Sequence, residues 1–138
     1  PWDSSVNAGF STAEPWLPLN DDWPVRNVAA QDGQPGSMLD LYRHLLALRR
    51  RHDALALGSI ELLPAADEVL QYERRHEDEG LLVALNLGTQ PRPVRLPDDS
   101  TAGAVLISTH ETRDFDGRLL PDEGLVLHLR EIDRDARS

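Results

Sequence analysis

The first 36 or so residues constrain the fold most. They hold all three tryptophans of the chain and no hydrophobic period with which to bury them. Pro15, Pro18, Pro24 and Pro35 interrupt the stretch, while Asn7-Ala8-Gly9 and Asn20-Asp21-Asp22 read as turns. An aperiodic run of roughly 35 residues is too long for an ordinary connection in a compact domain, and such loops are usually functional or disordered. Trp2, Trp16 and Trp23 argue against disorder, because each ring needs a large apolar surface to cover it. The segment is therefore expected to lie on another body of protein. Pro1-Trp2-Asp3-Ser4-Ser5 is neither a signal nor a transit peptide, and the expectation is a chain that begins inside a longer polypeptide.

A helix follows. Ser37 and Asp40 stand as a capping box with an acid in place of the commoner Glu or Gln. Met38, Leu41, Leu45 and Leu48 make one apolar stripe, with Leu39, Tyr42 and Leu46 beside it. Together they span roughly half the circumference, more than one sheet needs, so the helix is expected to pack between two bodies. Arg50 and Arg51 suit the negative end of its dipole, and Gly58 ends the pattern after Leu55 and Leu57. Arg49 falls inside the apolar arc and is read as structural, paired with a carboxylate or snorkelling outward.

From Gly58 onward the period changes to that of strands. Ile60–Leu63, Val69–Arg75, Leu81–Leu87, Pro93–Leu96, Ala104–Thr109 and Leu125–Arg130 are the candidates. Leu81–Leu87 is apolar on both faces and is expected at the centre of the sheet, with Glu77-Asp78-Glu79-Gly80 as the hairpin turn before it. The fold class is thus a mixed α+β fragment: an irregular Trp/Pro-rich lead-in, one long helix, and a small antiparallel β-sandwich. The expected boundary separates residues 1–57 from residues 58–138.

Charge and composition exclude several functions. A formal net charge of −10, with 24 acidic against 14 basic residues, repels a phosphate backbone, and no basic stripe opposes it, so nucleic-acid binding is not expected. No apolar run approaches the ~20 residues of a membrane helix. There is no cysteine, hence no disulfide and no thiolate metal site, which is compatible with a cytoplasmic location.

Several segments, taken in order, resemble one family. Pro1-Trp2-Asp3 followed by Asn7-Ala8-Gly9-Phe10-Ser11 resembles the segment after the catalytic carboxylates in oligo-1,6-glucosidases and related α-glucosidases of the α-amylase superfamily. An Arg-Thr-Pro-Met lead-in usually precedes that Trp, and only the tail of the motif is present here. Pro15-Trp16-Leu17-Pro18-Leu19-Asn20, then Asn27-Val28 with Gln31, resemble the next stretch. The run Leu41 to Arg49 is similar to the family's last barrel helix, and Leu82 to Leu87 to a strand of its terminal sandwich, domain C. Trehalose synthases share related segments, but Pro15 to Gln31 looks closer to the glucosidases.

The resemblance implies a retaining glycosidase working through two carboxylates about 5 Å apart on a (β/α)₈ barrel. The Asp nucleophile, the Glu acid/base and the supporting Asp belong to family segments upstream of Pro1. No catalytic residue is therefore assigned here, and no activity is expected of the chain alone. Residues 1–57 would be the terminal segment of the barrel, and the upstream barrel of the same polypeptide the chief partner. The aromatic lead-in has two readings: packing against that barrel, the plainer one, or bordering the substrate entrance, where Phe10 and then Trp2 would be rim residues for short α-glucosides.

Other chemistry finds little support in the residues. The acids of Asp21-Asp22, Glu77-Asp78-Glu79, Asp98-Asp99 and Asp114-x-Asp116 stand in turn-like contexts and read as solvated. His44, His52, His76, His110 and His128 lack metal spacing, so neither a metal nor a cofactor is expected. Ser108-Thr109-His110 with Glu111 has the residue types of a triad, but adjacency does not make one. The leading reading is a noncatalytic carboxy-terminal region of an α-glucosidase that completes and stabilises its barrel. The alternative, a free-standing carbohydrate-binding or interaction module, would carry its aromatics on the sandwich, where the expected strands offer only Tyr72. With the barrel absent, apolar surface on the lead-in and helix would show as self-association, disorder of residues 1–36 or a companion chain.

Overall fold

The computed structural model describes residues 1–110 and 113–132. Elements follow in the order α1 (Val28–Gln31), α2 (Met38–Arg51), α3 (Asp53–Ala56), β1 (Ser59–Leu62), β2 (Val69–His76), β3 (Glu79–Asn86), β4 (Arg92–Pro93), β5 (Ser100–Ser108), β6 (Arg118–Leu119) and β7 (Gly124–Glu131). The chain divides into two units, Pro1–His44 and Leu45–Ser138, with the division inside α2.

The first unit is held by polar bonds, because its apolar residues have little to pack on. Its backbone ties distant points together: Ala29 N–H donates to the Trp2 carbonyl at 2.8 Å and Val28 N–H to that of Pro1 at 3.1 Å. Asn27, buried, caps α1 by accepting from Ala30 N–H at 2.8 Å while its amide donates to the Trp23 and Pro24 carbonyls. The expected capping box at α2 is half formed. Ser37 Oγ accepts from Asp40 N–H at 3.2 Å, but the Asp40 carboxylate takes the N–H of Gly36, one residue before its reciprocal partner. Gln31 Oε1 satisfies another free amide of that first turn, Leu39 N–H, at 3.1 Å.

In the second unit the helix is shorter than its apolar period implies. His52, with φ −121° and ψ 106°, breaks it into α2 and the single turn α3. Polar side chains hold that break. Glu79 Oε2 accepts from Ala54 N–H at 3.0 Å at the start of α3, and Arg49 Nη1 donates to the Leu55 carbonyl at 2.9 Å at its end. Arg49 therefore lies on the apolar side of the helix to serve backbone carbonyls, not a distant carboxylate. Gly58 closes the junction, since a Cβ there would stand 2.4 Å from the Ala54 carbonyl oxygen.

The sheet has five antiparallel strands in the order β1-β2-β3-β7-β5, with a second sheet of β4 and β6. β3 is central, as its two apolar faces require. Leu82 and Ala84 join Leu119, Leu125, Leu127 and Leu129 in the sandwich core, while Leu81 on the opposite face packs with Leu48, Ala54 and Val126. Each such leucine contributes about 1.5–3 kcal/mol of burial. The β2–β3 hairpin turns on Glu77 and Asp78, with Glu77 at φ 49°. Pro93–Leu96 yields only the short β4, and β6 escapes sequence patterning because Arg118–Leu119 is too brief to show a period. Among the described residues no helix is long and apolar enough to cross a membrane.

Candidate functional site

The residues expected at a substrate rim, Trp2 and Phe10, flank a tight loop. Asn7, Ala8 and Gly9 all take positive φ (56°, 55° and 72°), a left-handed run that costs the two non-glycine residues roughly 1–2 kcal/mol each. The run turns the Ala8 carbonyl back onto Trp2, whose N–H it accepts at 2.8 Å, and Ala8 is fully buried. Asp3 fills the inside of the loop. Its Oδ1 takes the Ser5 hydroxyl at 2.5 Å and the Ser5 N–H at 2.8 Å, and these bonds hold its carboxyl below the ordinary carboxylate value. A Cβ on Gly9 would meet that carboxylate at 2.6 Å, so glycine is required there on two counts. Asn7 extends the structure by donating to the Ser11 and Ala13 carbonyls at 3.2 and 3.0 Å.

This loop fixes the backbone beneath two rings and leaves the rings open. Trp2 is 61% exposed and Phe10 51%. Trp16, between Pro15 and Pro18, is 91% exposed, whereas Trp23 is half-buried. The three largely open rings share one unit: loop hydrogen bonds hold the backbone at Trp2 and Phe10, while Trp16 stands among prolines.

Several carboxylates elsewhere are engaged in structural bonds. Glu123, 1% exposed, accepts from Leu120 N–H at 2.7 Å, Arg113 Nη2 at 2.9 Å and Ser108 Oγ at 3.0 Å. Burial pushes its carboxyl up, but these three donors outweigh burial and leave it below the usual range. Glu79 belongs to β3 and is not a solvated turn acid. Burial raises its carboxyl too, and the His52 hydrogen bond, the Ala54 N–H and the nearby charges of His52 and His128 bring it below normal. Asp116 pairs with Arg113 at 3.1 Å, Asp22 with Arg26 at 3.4 Å, and Glu73 and Glu131 converge on Arg75 at 2.6 and 2.7 Å. Glu123, Asp116, Asp22, Glu73 and Glu131 are each paired with an arginine, an arrangement unlike an acid/base pair held ready in a pocket.

Ser108 and His110 do not assemble a nucleophile. The Ser108 hydroxyl donates to Glu123 and accepts from the His110 backbone N–H at 3.1 Å, while the His110 ring lies against Thr109. Glu111 lies outside the described residues. No group of three His, Asp or Glu side chains among the described residues is arranged to hold a metal ion. The Glu79 and Glu123 networks were not legible in the sequence, since their side-chain partners His52, Arg113 and Ser108 stand 10 to 27 positions away with no spacing rule to join them.

Residues 1–58 match the family model described as "Alpha amylase, catalytic domain", and residues 58–127 match "Domain of unknown function (DUF3459)". Among curated relatives, the oligo-1,6-glucosidase of Heyndrickxia coagulans is 34% identical over 131 residues, covering 94% of this chain and 23% of that protein. A probable alpha-glucosidase of Rhizobium meliloti is 38% identical over 96 residues, 70% of this chain and 17% of that protein. Among solved structures, the trehalulose synthase of Pseudomonas mesoacidophila MX-45 superposes with a TM-score of 0.84 at 31% identity, covering 94% of this chain and 24% of that one. The isomaltulose synthase of Klebsiella sp. LX3 gives the same TM-score, 0.84, at 27% identity. The chain thus spans less than a quarter of the length of these relatives.

Proposed function

Since this chain belongs to the α-amylase superfamily, its first 58 residues matching part of the catalytic domain and residues 58–127 the DUF3459 domain, we propose that it is the noncatalytic carboxy-terminal region of a retaining α-glucosidase. Its role is to complete and stabilise the barrel of an enzyme that hydrolyses short α-glucosides. One observation carries this reading. The residues that match a catalytic domain expose the side chains a core would use: Trp2, Phe10, Trp16, Met38, Tyr42 and Leu46 are all open to solvent. A unit that folds through polar bonds while its aromatics stand uncovered is built to be covered by something else.

Within the same proposal, Phe10 and Trp2 border the substrate entrance, where the apolar face of a ring stacks on a sugar. Their partial exposure above a rigid loop supports that placement. A cytoplasmic location belongs to this proposal as well and is compatible with a chain that has no cysteine. The free-standing binding module gains no support from the sandwich, whose described strands carry no tryptophan and whose one tyrosine, Tyr72, is half-buried.

Removing residues 58–138 from the polypeptide that carries the barrel tests the stabilising role. The expected result is a large fall in Tm and in soluble yield. A barrel that keeps its full Tm without them would show that the region does not stabilise it.

A further inference from the structure

We propose that the cavity between the β1–β2 edge of the sheet and the loop joining β4 to β5 is a binding site for an aliphatic polyamine. This goes beyond the function proposed above and does not depend on it.

The site begins with a pairing that sheets avoid. Glu61 on β1 stands directly opposite Glu73 on β2, and like charges at paired positions destabilise a sheet. Both line the cavity, which measures about 550 Å³, within the range of small-molecule sites. Asp98 and Asp99 line it from the β4–β5 loop, so four carboxylates share the lining with one base, Arg95.

Glu73 is the most deeply buried of the four, 8% exposed. Its Oε1 takes Arg75 Nε at 2.8 Å and Nη2 at 2.6 Å, and no donor among the described residues reaches its Oε2. Arg75 does not neutralise the cavity, because it also binds Glu131 at 2.7 Å and stands 4.0 Å from Asp99. Glu61 and Asp98 have no side-chain partner among the described residues. A buried carboxylate with a free oxygen calls for a donor, and a cationic donor makes the strongest bond.

The spacing of the acids selects the kind of cation. Among the described residues no three of them converge to hold a metal ion, so a point charge would satisfy only part of the set. A flexible chain with separated ammonium groups reaches several carboxylates at once. Its methylenes would lie along Leu63, Pro64, Leu96 and Pro97, the apolar part of the lining. A neutral sugar would donate hydrogen bonds but leave the repulsion between Glu61 and Glu73 in place.

The test is calorimetric titration of the 138-residue chain with spermidine at fixed ionic strength, because salt screens exposed charges. One molecule is expected per chain, with Tm rising as the site fills. Glu61→Gln, at an exposed position, is expected to weaken binding about tenfold, and Glu73→Gln at least as much. Asp21→Asn, which alters an exposed acid of the other unit, should bind as the unsubstituted chain does. If Glu73→Gln does not fold, Glu61→Gln decides the question. Binding without a defined stoichiometry, or binding that Glu61→Gln leaves unchanged, would reduce the effect to attraction by the net charge of −10 and overturn the site. Calcium or maltose binding more tightly than spermidine, with the same loss in Glu61→Gln, would overturn the choice of a polyamine.

Discussion

Glu79 and His52, 27 positions apart, meet with 2.6 Å between Oε1 and Nδ1, while the second oxygen of Glu79 holds Ala54 N–H. One carboxylate from the β2–β3 hairpin thus holds both the residue that breaks the helix and a free amide in the turn after it. The break lies a few residues before position 58, where the two family matches meet. Its geometry therefore governs how the end of α2 is seated on the sheet.

Glu79→Gln keeps an acceptor for Ala54 but loses the charge that faces His52. Unfolding in urea at neutral pH is expected to show a loss of about 1–2 kcal/mol. The pH dependence follows from the direction of the shift. The folded carboxyl lies below its ordinary value of 4.5, so its stabilisation is complete above that value and is lost as pH falls through the folded one. The unsubstituted chain should lose stability more steeply than Glu79→Gln below about pH 4.5. Parallel curves would mean that the carboxylate contributes no charge interaction.

Glu123→Ala removes the partner of Arg113 inside the sandwich and leaves Leu120 N–H without its acceptor. Breaking such a pair one-sidedly costs about 3–5 kcal/mol. Arg113 is a quarter exposed, which places the expected loss near the lower end. Denaturant titration of the single variant and of the Arg113→Met/Glu123→Leu pair separates the two effects. The double variant should recover part of the loss.

Gly9→Ala forces a Cβ into the Asp3 carboxylate at a positive φ. Amide exchange at Trp2 and Ala29, whose bonds depend on that loop, should speed up, with little change at β3 or β7. Uniform acceleration across both units would contradict the local role assigned to the loop.

Phe10→Ala, made in the polypeptide with its barrel, is expected to raise KM for a short α-glucoside about fivefold with kcat little changed. That pattern belongs to a rim residue that binds ground state and transition state alike, and corresponds to roughly 1 kcal/mol. An unchanged KM would return Phe10 to the packing reading.

Trp16→Ala separates the two contexts most sharply. With the ring 91% exposed, the 138-residue chain should lose less than about 0.5 kcal/mol. In the longer polypeptide a ring buried against the barrel should cost about 3–5 kcal/mol.

The sandwich was legible because burial writes itself into local pattern. Leu81 to Leu85 is apolar at successive positions, which only a strand covered on both faces tolerates, and the structure places it third of five. The hairpin turn before it was legible only in part, since Glu77 and Asp78 make the turn while Glu79 and Gly80 of the same run belong to β3. The helix break was not, because nothing in Arg49 to Leu57 departs from helical composition. The cause lies in Glu79, a contact too distant in sequence, and in the Arg49 guanidinium, whose place in the apolar arc marks it as structural without naming the Leu55 carbonyl it serves. The left-handed run at Asn7 and Ala8 showed only as a turn, since its conformation depends on Asp3 filling the loop. Trp2 and Phe10 were named through resemblance, and their exposure is what the sequence alone could not supply.

The central claim is that this chain carries no catalytic centre of its own and serves one that lies elsewhere in the polypeptide. Hydrolysis of maltose and an aryl α-glucoside by the purified 138-residue chain, its intact mass confirmed, tests that most directly. The account predicts no turnover from the chain and turnover once the barrel precedes it. Turnover by the chain alone that survives repurification would contradict it, and would place catalytic carboxylates among those assigned here to structural bonds.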